Sequence, residues 1–240
     1  MESEILVIVP IGMIVNDTRD TLIAIRKYTP KNSKILFYID GIAPPAWLLE
    51  KNYCDHLIIH ENRRGYGYCL RKGFYYAFQH GYKYILTIDS DGEHDPRYIP
   101  VLLNEAITFK YDLVIGSRYH PLSPRLTEVR NPSIRINQIF GERLKKDFGV
   151  QIYDVFSGFR VYNSSVLRGI ELTVDDYSLP VQIWPQILSR GCKIKEVPIP
   201  LYFRKKSRLY DQTPLELTIE NFLQTYMYTL NRVLKKISMH

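Results

Sequence analysis

The sequence predicts one α/β domain, a mainly parallel sheet flanked by helices, followed by a C-terminal helix. Three observations predict it. Apolar runs of strand length alternate with segments of helical periodicity; several of these runs lack the polar alternation of a strand with one wet face; and acidic residues stand where two of them end. In such sheets the ligand crevice lies beyond the carboxyl ends of the strands, where Asp40 and Asp89 fall.

The elements follow in order. Ile5 to Pro10 reads as a buried strand, followed by a helix from Asp17 or Thr18 through Lys27, with Asp17 as its N-cap. Lys34 to Asp40 is a second buried strand ending in a Gly/Pro turn, and His56 to His60 a third. Asn62 to Gly67 is a glycine-containing loop opening into a helix that reaches His80, and Tyr84 to Ile88 is a central strand. A helix over 96–109 and a strand over 112–116 complete the regular half. Residues 117–145 read as a basic loop carrying Arg118, Arg125, Arg130 and Arg135, then a helix. The segment 155–162, a helix near 179–190 and a strand over 195–200 return the chain to the sheet. Pro214 to Ile237 is a long helix with an apolar stripe of Leu215, Ile219, Phe222, Tyr226, Leu230, Val233 and Leu234 or Ile237, and a cationic end, Arg232, Lys235 and Lys236. That stripe packs on the domain or on a partner, or lies in a membrane interface. The domain division is 1–212 and 213–240.

The bulk properties set limits. The 240 residues, 45% hydrophobic and 24% charged, suffice for one large core and exclude a mostly disordered chain. A net charge of +7 favours an anionic partner without choosing among phosphate esters, membrane surfaces and nucleic acid; no nucleic-acid motif accompanies it, so that partner is not expected. Three widely spaced cysteines form neither a disulfide framework nor a zinc pattern, which fits a reducing cytoplasm. No stretch reaches the roughly twenty apolar residues a membrane span needs, because Thr218, Glu220, Asn221, Gln224 and Asn231 interrupt the last candidate.

The strongest local signal is Thr87-Ile88-Asp89-Ser90-Asp91-Gly92-Glu93-His94-Asp95-Pro96, directly after an apolar strand. Two carboxylates one residue apart at a strand end can share a hard divalent cation, and Glu93 is a candidate third ligand. His94 reads as orienting the loop, and Asp95-Pro96 as capping the next helix.

Gly65-Tyr66-Gly67, then Asp89 to Pro96, then Gly116-Ser117-Arg118-Tyr119, then Asp154-Val155-Phe156-Ser157-Gly158-Phe159-Arg160 resemble, in order and spacing, the family 2 glycosyltransferases. The resemblance covers Ile5 to Arg208 and is greatest to the branch of dolichyl-phosphate mannose synthases and other polyprenyl-phosphate glycosyltransferases. It implies the GT-A (Rossmann-like) fold, a nucleotide-diphosphate sugar donor, Mg²⁺ or Mn²⁺, and inverting transfer of a hexose, mannose or glucose by preference, to a polyprenyl (dolichyl) phosphate. Carried over by position, it places the metal at Asp89, Asp91 and Glu93, and the donor at Pro10, Asp40, Gly65, Gly67, Asp89, Ser90 and Asp91. Arg118, Arg135, Ser157, Arg204 and Arg208 fall in regions that grip the acceptor phosphate, and Asp89, Asp91, Arg118 and Arg160 form the catalytic set.

The chain departs from the family pattern at three places. Ile39 and Ile42 replace an acid and a serine of the nucleoside-binding turn, leaving GDP and UDP both open; Trp184 stands where relatives carry Glu; and the N-terminal motif survives only as Val9-Pro10. Members that use a hydroxyl acceptor take a carboxylate base from a Glu-Asp pair ahead of the last strand. Here Leu179-Pro180 and Gln182 fall there, with Asp175 and Asp176 just upstream, which favours an already ionised phosphate. Transfer to a hydroxyl, and nucleotide-sugar binding without catalysis, are the alternatives. The implied location is the cytoplasmic membrane face, on the lipid surface or through a membrane-anchored partner.

Overall fold

Ile5–Ile11 (β1) is apolar apart from Pro10, and every residue in it is buried, as a strand covered on both faces requires. The computed structural model describes residues 4–49, 53–124, 132–201 and 214–238. β1 is followed by Thr18–Tyr28 (α1), Ser33–Asp40 (β2), His56–His60 (β3), Tyr66–Gln79 (α2) and Tyr84–Thr87 (β4). Next come Ile99–Thr108 (α3), Leu113–Ser117 (β5), Pro132–Phe148 (α4), Arg160–Asn163 (β6) and Ser164–Leu167 (α5), then Leu179–Leu188 (α6), Ile194–Pro198 (β7) and Leu215–Ser238 (α7).

The sheet runs in the order β3-β2-β1-β4-β6-β5-β7. The strands β3, β2, β1 and β4 are mutually parallel, and β7 runs parallel to β5. β1 is paired on one side with β2 and on the other with β4, so a crevice opens at their carboxyl ends, where Pro10, Asp40 and Asp89 emerge. β6 departs from the parallel pattern: it is wedged antiparallel between β4 and β5, with Thr87 opposite Arg160 and Ile115 also opposite Arg160. This puts the preceding loop, residues 154–159, directly behind the end of β4. The Thr87 hydroxyl donates to the Gly158 carbonyl at 2.8 Å.

Apolar side chains pack on both faces of the sheet. One cluster joins β1, β2 and α1 to α3 through Val7, Phe37, Leu22 and Leu102, and the other gathers Phe74 of α2, Phe140 of α4, Trp184 of α6 and Tyr226 of α7. Phe222, Tyr226 and Leu230 of α7 belong to that second cluster, so the C-terminal helix packs on the domain rather than standing off it. The Tyr226 hydroxyl donates to Asp147 Oδ2 of α4 at 2.9 Å. The expected boundary between 212 and 213 lies outside the described residues.

Two local expectations need correction. Asp17 makes no capping bond to α1; the Thr18 hydroxyl instead accepts from Val15 N–H at 2.9 Å, fixing the entry to the helix. The helix expected over 96–109 begins as one 3₁₀ turn at Pro96–Tyr98, for which Asp95 is the cap, accepting from Arg97 N–H at 3.0 Å.

Candidate active site

Asp89 stands just beyond β4, and Asp91 follows it on the turn that leads to Pro96. Both line a pocket that also takes in Pro10 at the end of β1, Gly12 and Met13 just after it, Asp40 at the end of β2, and Ser90. The Ser90 hydroxyl donates to the Pro10 carbonyl at 3.3 Å, tying the acidic turn to the end of β1. Asp91 Oδ1 accepts from Glu93 N–H at 3.0 Å, which holds the turn in shape. The opposite wall is built from Ile136 and Asn137 of α4, Phe156, Tyr177, Pro180 of α6 and Phe222 of α7. One end of the pocket is therefore acidic and polar, the other largely apolar.

Asp89 is fixed from several sides. A Cβ on Gly158 would lie 2.2 Å from its Oδ2, so only glycine lets the carboxylate settle against the loop. His94 Nδ1 lies 3.6 Å from Asp89 Oδ2, and Tyr66 lines the pocket alongside that carboxylate. His94 is wholly buried. Desolvation, followed by the nearby Arg118 and Arg160 charges, holds its imidazole well below the usual histidine range, so it is neutral at physiological pH and packs edge-on against Phe159. A neutral ring touching a carboxylate from behind fits orientation of the loop better than a charge partner.

The donor chemistry of Asp89 and Asp91 fits a hard divalent cation: two carboxylates, one residue apart, facing one pocket. Glu93, expected as a third ligand, is engaged elsewhere, its Oε2 accepting from Arg118 Nη1 at 2.9 Å. Among the described residues no three of His, Cys, Asp and Glu converge in ligating geometry, so the acidic set here is the pair.

Arg118 reaches the pocket wall, yet its guanidinium is anchored in a buried network. Nε and Nη2 donate to the two oxygens of Asp154 at 2.8 and 3.0 Å, and its backbone N–H adds a third bond to Asp154 at 2.9 Å. Asp154 is in turn held by Glu196, whose oxygens accept from the N–H groups of Tyr153 and Asp154. Arg160 and Ser157 sit differently from expectation. Arg160 is 2% exposed and faces inward, donating to the Ser157 and Val155 carbonyls and to Tyr162 Oη, with its guanidinium over the Trp184 ring at 5.2 Å. The Ser157 hydroxyl donates to the Gly116 carbonyl at 2.7 Å. Both hold the 154–159 loop in place and neither lines the pocket. Trp184 completes that brace, its indole N–H donating to the Val155 carbonyl at 3.0 Å, which accounts for an aromatic ring at this position.

The donor-side expectations divide in the same way. Pro10, Asp40, Ser90 and both aspartates of the turn line the pocket. The two oxygens of Asp40 accept from the N–H groups of Arg64 and Gly65 at 2.9 and 2.8 Å, so it shapes the loop at that end of the pocket. Gly65 and Gly67 lie outside the lining. A Cβ on Gly65, whose φ is 115°, would meet the Asp175 carbonyl at 2.3 Å, and one on Gly67 the Val174 carbonyl at 2.6 Å. These glycines let residues 174–176 approach the start of α2, where Tyr68 N–H donates to the Asp175 carbonyl. Ile39 is wholly buried in the core, so the missing acid leaves no gap at the surface. Arg135 is exposed on α4, beside Ile136 and Asn137, and Arg204 and Arg208 lie outside the described residues.

Sequence reasoning passed over Arg63, Tyr66, Tyr177, Phe156 and Phe222. Arg63 lines the pocket and donates to the Gly12 carbonyl at 3.1 Å. Tyr66 stacks on Tyr177, ring centroids 5.2 Å apart and planes 17° from parallel. The available signal for Tyr66 was its place between two glycines at the opening of a helix; the others depend on which faces meet in three dimensions.

The polyprenol monophosphomannose synthase of Mycolicibacterium smegmatis is 30% identical to this chain over 150 residues, 60% of this chain and 55% of that protein. The undecaprenyl-phosphate mannosyltransferase of Micrococcus luteus is 30% identical over 155 residues, 62% of this chain and 62% of that protein. The matched stretch thus spans less than two thirds of either relative. Among solved structures, glucosyl-3-phosphoglycerate synthase from Mycobacterium tuberculosis, in complex with Mn²⁺, uridine diphosphate and phosphoglyceric acid, superposes with a TM-score of 0.70 at 15% identity. The superposition covers 95% of this chain and 78% of that one and shows a shared GT-A architecture. The description Glycosyl transferase family 2 matches residues 7–170, from β1 past the loop behind Asp89, and so takes in Pro10, Asp40, Asp89, Ser90 and Asp91: the chain belongs to glycosyl transferase family 2.

Proposed function

We propose that the protein transfers a hexose, mannose or glucose by preference, from a GDP- or UDP-sugar to a polyprenyl phosphate, with inversion at the anomeric carbon. The observation that carries the acceptor class concerns the carboxylates. Those lining the pocket are Asp40, Asp89 and Asp91, all on the donor side. The two acids upstream of α6 are engaged: Asp175 pairs with Arg71, and Asp176 Oδ1 accepts from the N–H and hydroxyl of Ser178. A hydroxyl acceptor needs a base to remove its proton, whereas a phosphate monoester brings an oxygen already charged. The apolar half of the pocket, Ile136, Phe156, Pro180 and Phe222, offers a prenyl chain a surface to bury. The names of the relatives agree with this acceptor class, and the solved neighbour holds a nucleoside diphosphate and a divalent metal.

In this reading Asp89 and Asp91 hold Mg²⁺ or Mn²⁺, which when bound offsets charge on the departing diphosphate. Pro10, Asp40, Arg63 and Ser90 shape the nucleoside and diphosphate side. The acceptor oxygen forms its bond to the anomeric carbon on the face opposite the leaving group, and the broken bond's electron pair stays on the nucleotide. Arg118, with Arg135, Arg204 and Arg208 as further candidates, supplies positive charge for the acceptor phosphate. Calorimetry with GDP, UDP, GDP-mannose and UDP-glucose, with and without Mn²⁺, tests the donor side. Metal-dependent binding of one nucleotide followed by transfer to a polyprenyl phosphate is the expected result. Transfer to a hydroxyl acceptor in preference to a phosphate removes the acceptor reading.

We also infer that the protein works peripherally at the cytoplasmic face of a membrane. No helix among the described residues is long and apolar enough to cross one. The apolar stripe of α7 continues beyond its packed part as Leu234 and Ile237, 52% and 57% exposed, among Arg232, Lys235 and Lys236. Apolar side chains beside cations suit an anionic lipid interface. Co-sedimentation with vesicles containing anionic lipid is expected to exceed that with neutral vesicles. The double substitution Leu234→Glu with Ile237→Glu is expected to weaken it by at least about tenfold, and unchanged binding removes this surface from consideration.

A further inference from the structure

We propose that two copies of the chain pair through β3, edge to edge and antiparallel, so that their sheets become one. Among the described residues β3 is hydrogen-bonded to β2 and to no other strand, and it ends the sheet. Gly41 N–H donates to the His60 carbonyl at 2.8 Å. Alternation along a parallel strand therefore turns the peptide groups of His56, Ile58 and His60 toward β2 and those of Leu57 and Ile59 outward. An edge of this kind is ordinarily blunted by lysine, proline or a bulge. His56-Leu57-Ile58-Ile59-His60 contains neither residue, and its register with β2 is unbroken. Leu57 and Ile59 are 36% and 45% exposed, on the face they share with Phe37 and Ile39, whereas Ile58 packs on the other face against the cluster of α2. His56 and His60 lie on that face too, against Tyr76 and Tyr68 of α2, with ring centroids 5.4 and 5.5 Å apart.

The strand itself names the occupant, because it reads almost the same in both directions. With Ile58 on a two-fold axis, a second copy sets Leu57 opposite Ile59, Ile58 opposite Ile58 and His56 opposite His60. The outward peptide groups of Leu57 and Ile59 then meet those of the second copy as hydrogen-bonded pairs, apolar against apolar on one face. Other registers spoil the match. An axis at Leu57 puts Ile59 opposite Asp55, and an axis at Ile59 puts Leu57 opposite Glu61. In the Ile58-centred register Glu61 stands across from Asp55, whose charge is already matched by Arg26 at 2.7 Å and Lys34 at 3.2 Å, so this pairing of acids is not left uncompensated. The axis runs normal to the sheet. The strands of the two copies consequently point in opposite directions, and their pockets open at opposite ends of the joined sheet, while α2 and α7 lie on the same side of it in both copies.

The test reads association and needs no activity, so it stands apart from the transfer reaction. Sedimentation velocity of the purified full chain over roughly 1 to 200 µM is expected to show a monomer giving way to a dimer, since the interface is small. Leu57→Lys with Ile59→Lys is expected to raise the dimer Kd by at least about tenfold, because a charged edge resists pairing. Its thermal midpoint at low concentration is expected to change little. Should that midpoint fall, Leu57→Thr with Ile59→Thr keeps residues that suit a strand, removes the apolar surface and is expected to weaken the dimer in the same direction. Register is read by oxidising an equal mixture of His56→Cys and His60→Cys chains at a concentration that favours the dimer. The mixture is expected to cross-link well above either variant alone and above the unaltered chain, because facing residues of a non-hydrogen-bonded pair come close enough for a disulfide. A monomer at every concentration overturns the proposal. So does a dimer that survives both the lysine and the threonine substitutions, or cross-linking no stronger in the mixture than in the separate variants.

Discussion

Replacing Asp91 by alanine is expected to abolish metal-dependent nucleotide binding and to lower sugar transfer by roughly 10²–10³-fold or more, leaving the fold intact. The direction follows from what each acid of the pair touches. Asp91 is partly exposed, and its recorded bond is a short local one to Glu93 N–H, so its removal disturbs little packing. Asp89 is a poorer probe, because Gly158 and His94 both close on it and its loss changes the site and the loop together. The magnitude is that of removing a major electrostatic contribution to a transition state in which charge gathers on the leaving group. Calorimetry with Mn²⁺ and a radiolabelled transfer assay are the measurements. An Asp91→Ala protein that binds donor with metal and transfers sugar normally would end the metal-assisted reading of this pocket.

The second large effect is on stability. Arg118→Ala is expected to destabilise the fold by about 3–5 kcal/mol. Asp154 is fully buried, and Arg118 gives it two side-chain bonds and one backbone bond. Truncating the arginine leaves the carboxylate in the interior without its counter-charge. Part of the loss is expected to return in Arg118→Met combined with Asp154→Leu, because exchanging a whole buried pair for apolar groups avoids the stranded charge. Urea unfolding of the single and double variants measures both. A single variant within about 1 kcal/mol of the unaltered protein would show that this network carries far less than burial implies. The same arginine lines the pocket, so activity measurements on it mix site and scaffold and are not a substitute.

The strands were legible because continuous apolar runs such as Ile5 to Val9 are hard to read in any other way, and the acid pair because it follows such a run directly. The direction and neighbours of β6 were not. Arg160-Val161-Tyr162-Asn163 is short, begins with a charge and ends with an amide, and no periodicity tells whether it runs with or against β4. Arg160 reads as one of the catalytic set for the same reason: its burial is made acceptable by Trp184 and by carbonyls of a loop whose path only the fold reveals. Gly65 and Gly67 illustrate the opposite error. The sequence showed that a side chain was unwelcome there, but the approaching backbone is that of Val174 to Asp176, more than a hundred residues away. The apolar half of the pocket was invisible, since Ile136, Phe156 and Phe222 read equally well as core.

The placement of β6 has a consequence for how the chain reaches its native state. The loop behind Asp89 belongs to a strand inserted between β4 and β5, and the bond from Thr87 to Gly158 spans 71 positions of sequence. A growing polypeptide can pair β1, β2, β3 and β4 as soon as they leave the ribosome, yet β5 then has no neighbour on its β4 side until residues 160–163 arrive to bridge the two halves. Contacts of such separation form late because closing the long loop comes before any reward. The acid pair is thus made early and joins the pocket only once residues 160–163 have followed, so half-made chains carry the motif without the pocket.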